Sequence, residues 1–409
     1  MTATALYVTL FLAIYFQTFA LLTYLSKDAR IRRNKARLES DFPSVAVMVP
    51  CWNEETTIGG TVESLLALDY PKDKIEIVLI NDGSTDNTRR VVEQYANHPN
   101  ITVIHKENGG KHSAVNLGIA STNAEFVGCL DADSFVHPGA LREIIPHFED
   151  TQVAAVTASM TVHDPKTMLQ RMQYAEYLAG VAMRHIFATV NGLYVTPGPF
   201  SFYRKRILDT IGGFRHGHQT EDMEMAMRLQ THGYKIENAP RAQVYTKAPR
   251  TLGSLVKQRT RWTSGFMRNA YDYRALFGNP KYGVLGLMVL PLGVMAIIAG
   301  LGLFVLTIVD TTRAVAAAIV TQGQVPWSFN FAVPSFDWFY LPLSGLVLLG
   351  FVGLVTAVTT MFIGKHISGS ERRFGADVVW YVALYSLVAP LWLFRSVHDV
   401  ALGYSRSWR

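Results

Sequence analysis

The sequence predicts an α/β domain with a mostly parallel central sheet, set between transmembrane helices that precede and follow it in the chain. Two observations predict this. From residue 44 to 130 short β-branched runs alternate with helical ones, and outside the domain residues 1–26, 282–309 and 338–364 carry no charge at all. Alternation of that kind implies βαβ units with helices on both faces of the sheet. About 20 apolar residues are enough to cross a bilayer.

Composition agrees. The chain has 409 residues, 49% of them hydrophobic, and a formal net charge of +6. Such a length accommodates a soluble domain of roughly 200–250 residues plus several spans. The expected organisation is an N-terminal transmembrane helix at 1–27, a domain at 28–250, interfacial helices at 251–281 and a membrane region at 282–409. Spans are expected near 282–309, 338–364 and 376–395. The first run lacks a basic start and a small-residue cleavage site, so it reads as an anchor rather than a cleaved signal. Lys27, Arg30, Arg32, Arg33, Lys35 and Arg37 crowd after it, which by the positive-inside rule puts the domain in the cytoplasm, on the inner face of the plasma membrane. The 310–337 connection, with Arg313 its basic residue, suits the outer side. The last run, 378–394, is shorter and contains Pro390; four full crossings would leave Arg395, Arg406 and Arg409 outside, and a re-entrant segment would reconcile this. Cys51 and Cys129 sit in apolar runs and suggest neither a disulfide framework nor a metal cluster.

Within the domain the pattern predicts strands at 44–49, 74–80, 101–105 and 125–130. Helices are expected at 55–68, 86–95, 114–120 and 168–190, with another after Thr220. Ligands of open α/β sheets bind beyond the carboxyl ends of the strands, and Asn53, Asp82 and Asp131 all fall at such ends. Asn53 and Glu54 read equally as a capped turn. Asp82, in Asn81-Asp82-Gly83-Ser84, has turn chemistry as an alternative. Asn108-Gly109-Gly110-Lys111 offers close backbone approach and a mobile cation suited to a carbonyl or phosphate.

Asp131-Ala132-Asp133 carries a sharper argument. Residues two apart on a strand share a face, and two converging carboxylates repel unless a cation lies beside them. Mg²⁺ or Mn²⁺ takes one or two carboxylates and completes its shell with diphosphate oxygens and water, so the pair reads as a metal and nucleotide site, with Asp133 the direct ligand and Asp131 nearer the ribose. Thr220-Glu221-Asp222 can cap a helix, and a carboxylate there can also serve as a general base. Gln258, Arg261 and Trp262 share one helical face; an indole packs against a sugar's CH face, Arg holds a diphosphate and Gln a hydroxyl. The same residues would also suit an interfacial helix.

Taken in order, Asp82, Asp131-Ala132-Asp133, Thr220-Glu221-Asp222 and Gln258-Arg259-Thr260-Arg261-Trp262 resemble the D, DxD, TED and QxxRW motifs of processive family-2 glycosyltransferases, which include cellulose, chitin, hyaluronan and poly-N-acetylglucosamine synthases. The resemblance covers roughly residues 42–270. It implies a GT-A fold, a nucleoside pocket lined by Asn53 and Glu54, uracil or ribose contact at Asp82, and Asp222 as the base. It also implies an acceptor side formed by Trp262, Glu221 and the segment containing Gly198. The chain is thus expected to be an inverting, processive β-glycosyltransferase of the inner membrane. Its expected partners are a UDP-sugar, most consistently UDP-N-acetylglucosamine, and a polysaccharide acceptor. An accessory membrane subunit or a homo-oligomer is left open. The alternative is a non-processive transferase to a polyprenyl phosphate or lipid, which would not need the last motif. Basic residues at membrane flanks rather than along a groove argue against nucleic acid, and Phe200 and Phe202 read as core.

Overall fold

In the computed structural model eight strands form one sheet in the spatial order Ile101–Lys106, Ile75–Asp82, Val45–Cys51, Phe126–Cys129, Ser201–Arg204, Val153–Val162, Lys235–Thr246 and Ser134–Val136. The structure describes residues 2–28, 30, 40–322 and 345–404. After the helix α1 (Thr2–Leu25), the domain opens with β1 (Val45–Cys51), α2 (Ile58–Leu66), β2 (Ile75–Asp82), α3 (Thr88–Glu93), β3 (Ile101–Lys106), α4 (Lys111–Ala120) and β4 (Phe126–Cys129). The strands β3, β2, β1 and β4 are mutually parallel. The chain steps outward from β1 to β3, then returns through α4 to place β4 on the other side of β1. That reversal makes the crevice between the ends of β1 and β4 a ligand site by topology alone.

Side chains of β1 alternate between two cores, as the period of two requires. Val45, Val47 and Val49 face a cluster with Ile58, Val62 and Leu65 of α2, while Ala46 and Met48 face one with Ala114, Val115 and Ile119 of α4. The chain continues through β5 (Ser134–Val136), α5 (Ala140–Ile144), β6 (Val153–Val162), α6 (Met168–Thr189), β7 (Ser201–Arg204), α7 (Lys205–Ile211), α8 (Glu221–Thr231) and β8 (Lys235–Thr246). Strand β7 is antiparallel to β4 and β6, and β5 to β8. Phe200 and Phe202 are fully buried in an edge-on pair, as core residues should be.

Helix α9 (Leu252–Asp272) carries the last motif, and three further helices follow: α10 (Leu290–Gln322), α11 (Gly345–Ser368) and α12 (Ala376–Ala401). Among the described residues, four helical stretches are long and apolar enough to cross a membrane: Thr4–Leu25, Leu285–Val320, Val347–Ser368 and Ala376–Ala401. Two helices extend beyond the runs expected for them. The helix from Leu285 runs far past residue 309 and takes in Arg313, so the supposed outer connection is helical to 322; residues 323–344 lie outside the described residues. The last run is not short. α12 is one helix of 26 residues that continues through Pro390, because packing of the buried Pro390 and Trp392 offsets the hydrogen bond that proline removes. Of the basic flanks, Arg32, Arg33, Lys35, Arg37, Arg406 and Arg409 also lie outside the described residues.

α12 rests on the domain for most of its length. Val388 and Trp392 pack with Met172 of α6 and Leu255 of α9. Near its start Arg372 pairs with Asp377 at 3.1 Å and Ser370 meets the Tyr174 hydroxyl at 2.8 Å. Near its end Arg268 of α9 donates to the carbonyls of Asp399 and Tyr404 at 3.3 and 2.6 Å.

Packing across the sheet gives a direct test of the fold. A Cβ on Gly128 of β4 would lie 2.5 Å from the Phe202 ring, so Gly128→Val should cost about 1–3 kcal/mol by overpacking. Thermal unfolding in detergent should show a clearly lowered Tm.

Candidate active site

The four parallel strands deliver polar residues to one rim. At the end of β1, Asn53 takes positive φ (56°) and its Oδ1 accepts from the Thr85 amide at 2.8 Å. The Glu54 amide donates to Thr88 Oγ1 at 2.7 Å, and its carboxylate accepts from Thr57 Oγ1 at 2.7 Å. Both residues therefore bind the β1 loop to the turn after β2. Asp82, at the end of β2, is 4% exposed. Its carboxylate accepts from Lys106 Nζ at 2.6 Å and from the amides of Gly109 and Gly110 at 3.0 and 2.9 Å. In this arrangement Asp82 faces inward and fixes the glycine loop. Lys106, which sequence reasoning passed over, is its charge partner; its place at the end of the parallel strand β3 was the available signal.

That loop sets Lys111. Gly110 has φ of +85°, and α4 begins at Lys111, three residues earlier than the sequence pattern indicates. Lys111 Nζ lies 2.6 Å from Asp131 Oδ1 and 3.3 Å from Glu221 Oε1, joining two motifs 90 residues apart in the chain. Gly198 makes the room: a Cβ there would sit 2.6 Å from Lys111 Nζ and 3.2 Å from Asp131 Oδ2. Burial pulls the Lys111 ammonium toward neutrality, but Asp131 and Glu221 outweigh it and hold it firmly charged.

Asp222 and Glu221 open α8, whose two faces are both occupied. Met225, Ala226 and Leu229 pack on the sheet; Met223 and Met227 pack against Phe266 of α9 and the start of the membrane helices at Leu285 and Leu290. Thr196 Oγ1 donates to the Asp222 carbonyl at 2.8 Å and in turn accepts from the Tyr203 hydroxyl at 2.9 Å. The expected capping by Thr220 is not found: its hydroxyl donates instead to the Gly217 carbonyl at 2.8 Å. Burial opposes ionisation of both acids. At Glu221 the adjacent Lys111 outweighs burial and holds the carboxyl below the usual range. Burial and the ionised Glu221 push Asp222 up to about 6. Two adjacent carboxyls are thus driven apart, one kept as an anion and the other left with the greater affinity for a proton.

On α9, Arg261 Nη1 donates to the Gln219 carbonyl at 2.6 Å, and the guanidinium interacts electrostatically with Glu221, Asp222 and Asp131. Gln258 Oε1 is shut off from solvent with no hydrogen-bond partner among the described residues. The Arg259 guanidinium lies 4.2 Å from the Trp262 ring centroid and pairs with Glu176 of α6 at 2.7 Å. One face of the indole is thus fixed against a cation, and Trp262 joins the cluster containing Tyr177 and Leu178.

Asp133 stands apart. Burial, then Asp131 and Glu54, push its carboxyl up to about 7. A divalent cation would relieve that unfavourable charge, so the donor set fits one. No group of three His, Cys, Asp or Glu positioned to hold a metal occurs among the described residues.

A parallel sheet with its crevice at the β1/β4 reversal, an acidic pair beyond β4 and a second acidic pair bridged to it by lysine define a GT-A glycosyltransferase. The family model described as glycosyltransferase like family 2 matches residues 43–265, and the chain belongs to that family. Poly-beta-1,6-N-acetyl-D-glucosamine synthase of Staphylococcus aureus is 32% identical over 265 residues, 64% of each chain. The protein of that name in Staphylococcus epidermidis is 31% identical over 224 residues, 54% of each. The matched region therefore spans less than two thirds of these relatives' own length. Among solved structures, a mannosyltransferase from Pyrobaculum calidifontis in complex with GDP-Man and Mn2+ is similar with a TM-score of 0.61 at 19% identity, covering 98% of this chain and 99% of that one. At that identity the likeness is one of fold.

A carboxyl at about 6 acts as a base only when deprotonated, so its contribution is present above that pH and lost as pH falls through it. We expect kcat to show an acidic limb near pH 6, with about a tenfold loss one unit below it. Asp222→Asn should lower turnover at least ~10²-fold on the plateau above that limb, and should flatten the limb itself while leaving donor binding intact, as measured by UDP release and by titration of the donor.

Proposed function

We propose that this chain is a membrane-integrated, inverting, processive β-glycosyltransferase that extends a polysaccharide from a UDP-sugar, with UDP-N-acetylglucosamine as donor. The observation that carries the reading is the bridge from Asp131 through Lys111 to Glu221, with Asp222 next in the chain. It brings the nucleotide end of the site to the presumptive base, as transfer between a bound diphosphate and an acceptor hydroxyl requires. The names of the two staphylococcal relatives support the choice of sugar and of a polymer product.

In this reading the acceptor hydroxyl approaches Asp222, which takes its proton as the new C–O bond forms at the anomeric carbon and the diphosphate leaves. Arg261 and Lys111 meet the charge on the departing diphosphate. A Mg²⁺ or Mn²⁺ ion at Asp133 and Asp131 would supply further charge stabilisation there. Trp262, held by Arg259, offers the sugar ring a plane whichever unit was last added.

The domain is proposed to lie on the cytoplasmic side of the inner membrane, supported by Lys27 and Arg30 after α1. Contacts of α12 with the domain near both its ends support a C-terminus on that same side. α1, α10 and α11 then serve as the crossings, beside which the polymer would leave.

Purified protein in detergent, given each UDP-sugar with Mg²⁺ or Mn²⁺, should release UDP fastest from UDP-N-acetylglucosamine and form a polymer whose glycosidase sensitivity identifies it. A product with a single added sugar on a lipid would replace this reading with the non-processive one. EDTA should stop UDP release, and Asp133→Asn should do the same with Tm unchanged; full turnover in EDTA would remove the metal from the site.

Trp262 separates chain retention from donor binding. Trp262→Ala should abolish or sharply shorten the polymer while UDP still binds, as judged by mass analysis of the products. Wild-type product length from the folded variant would assign Trp262 to the lipid surface alone.

A further inference from the structure

Just ahead of Glu221 the backbone is unusual. Gly217, His218 and Gln219 are consecutive residues with positive φ, at 51°, 53° and 66°. Non-glycine residues persist in that region only where their surroundings enforce it.

Here the enforcing contacts come from one helix. Arg261, Gly265, Asn269 and Asp272 follow one another on α9 at intervals of four, four and three, and so share a face. Arg261 binds the Gln219 carbonyl at 2.6 Å, and Asp272 meets His218 Nε2 at 2.8 Å. Asn269 is 1% exposed. Its Nδ2 donates to the Gly217 carbonyl at 3.1 Å and to Thr220 Oγ1 at 2.9 Å, closing the two ends of the turn onto each other. Opposite them stands Gly265, where any Cβ would overlap the Thr220 side chain.

The turn feeds directly into the acids. The Thr220 carbonyl accepts from the amides of Met223 and Glu224 at 3.0 and 3.1 Å, so the first turn of α8, with Asp222 in it, starts from the position that Thr220 is given. Arg261 already reaches the site itself; Asn269 and Gly265 touch only the turn.

We propose that Asn269 is a positioning residue for the transfer: it holds the left-handed turn 217–219 that aims Asp222, and Gly265 is bare so that α9 can approach closely enough for Asn269 to reach. The proposal rests on the reading of Asp222 as the base.

The test uses the full chain in detergent and compares Asn269→Ala, Gly265→Ala, Asp222→Asn and the double variant Asn269→Ala with Gln219→Gly, reading kcat and donor KM from UDP release. Misplacing a reacting group by about 1 Å can cost on the order of 10²-fold, so Asn269→Ala and Gly265→Ala should lose kcat on that scale with donor KM near wild type. The double variant should regain part of the loss, because glycine takes φ of +66° without penalty. Wild-type kcat in Asn269→Ala beside an inactive Asp222→Asn overturns the positioning role and leaves the base in place. Activity surviving in Asp222→Asn overturns the base reading itself. A loss in which donor KM rises in parallel and Gln219→Gly restores nothing marks Asn269 as structural only, and also overturns the proposal. Should Asn269→Ala fail to fold, Gly265→Ala decides by the same two constants.

Discussion

The Lys111 ammonium is the interaction on which the site depends. Asp131, Glu221 and Asp222 come from separate parts of the fold, β4 and α8, and would repel one another without a cation between them. Lys111 touches Asp131 and Glu221 directly and can do so only because three local features cooperate. Gly110 turns the chain into α4, Gly198 leaves space for the ammonium, and the inward-facing Asp82 pins the glycine loop through two backbone amides. The division of labour proposed for the acids follows: Lys111 outweighs burial and holds the Glu221 carboxyl below its usual range, while burial and the Glu221 charge raise Asp222 toward a proton affinity suited to general-base work.

α9 links this electrostatic arrangement to the membrane. One face clasps the turn before α8 through Arg261 and Asn269, and Leu255 on another face packs with Trp392 of α12. Arg259 spans from Glu176 on α6 to the Trp262 ring. The apolar helix α12, the Trp262 ring and the turn before the acids are therefore joined through packed and hydrogen-bonded groups.

Much of the domain was legible in the sequence because its first two strands, Val45–Cys51 and Ile75–Asp82, are buried along nearly their whole length. The runs 44–49 and 74–80 read as strands from β-branched content alone, and Asn53, Glu54 and Asp82 fell at their ends. Long-range geometry was less legible. Nothing local distinguishes Lys106 as the partner of Asp82, nor indicates that Thr220 would bind the turn behind it instead of capping α8. The left-handed run 217–219 contains Gln219, a residue with no preference for that backbone, so the contacts from α9 rather than composition reveal it. In the membrane region, charge-free length stops at Asp310 and resumes after Asp377, whereas the helices continue past the first and include the second under the control of backbone hydrogen bonding and packing.

The pH dependence of UDP release by Lys111→Met tests the electrostatic core of this description most directly. With the ammonium gone, the neighbouring carboxylates should bind protons more readily. The acidic limb of kcat should then move above its wild-type position and the maximal rate should fall, with Tm reported alongside to show that the fold survives. A folded Lys111→Met enzyme with wild-type kcat and an unmoved acidic limb would contradict the role given to Lys111.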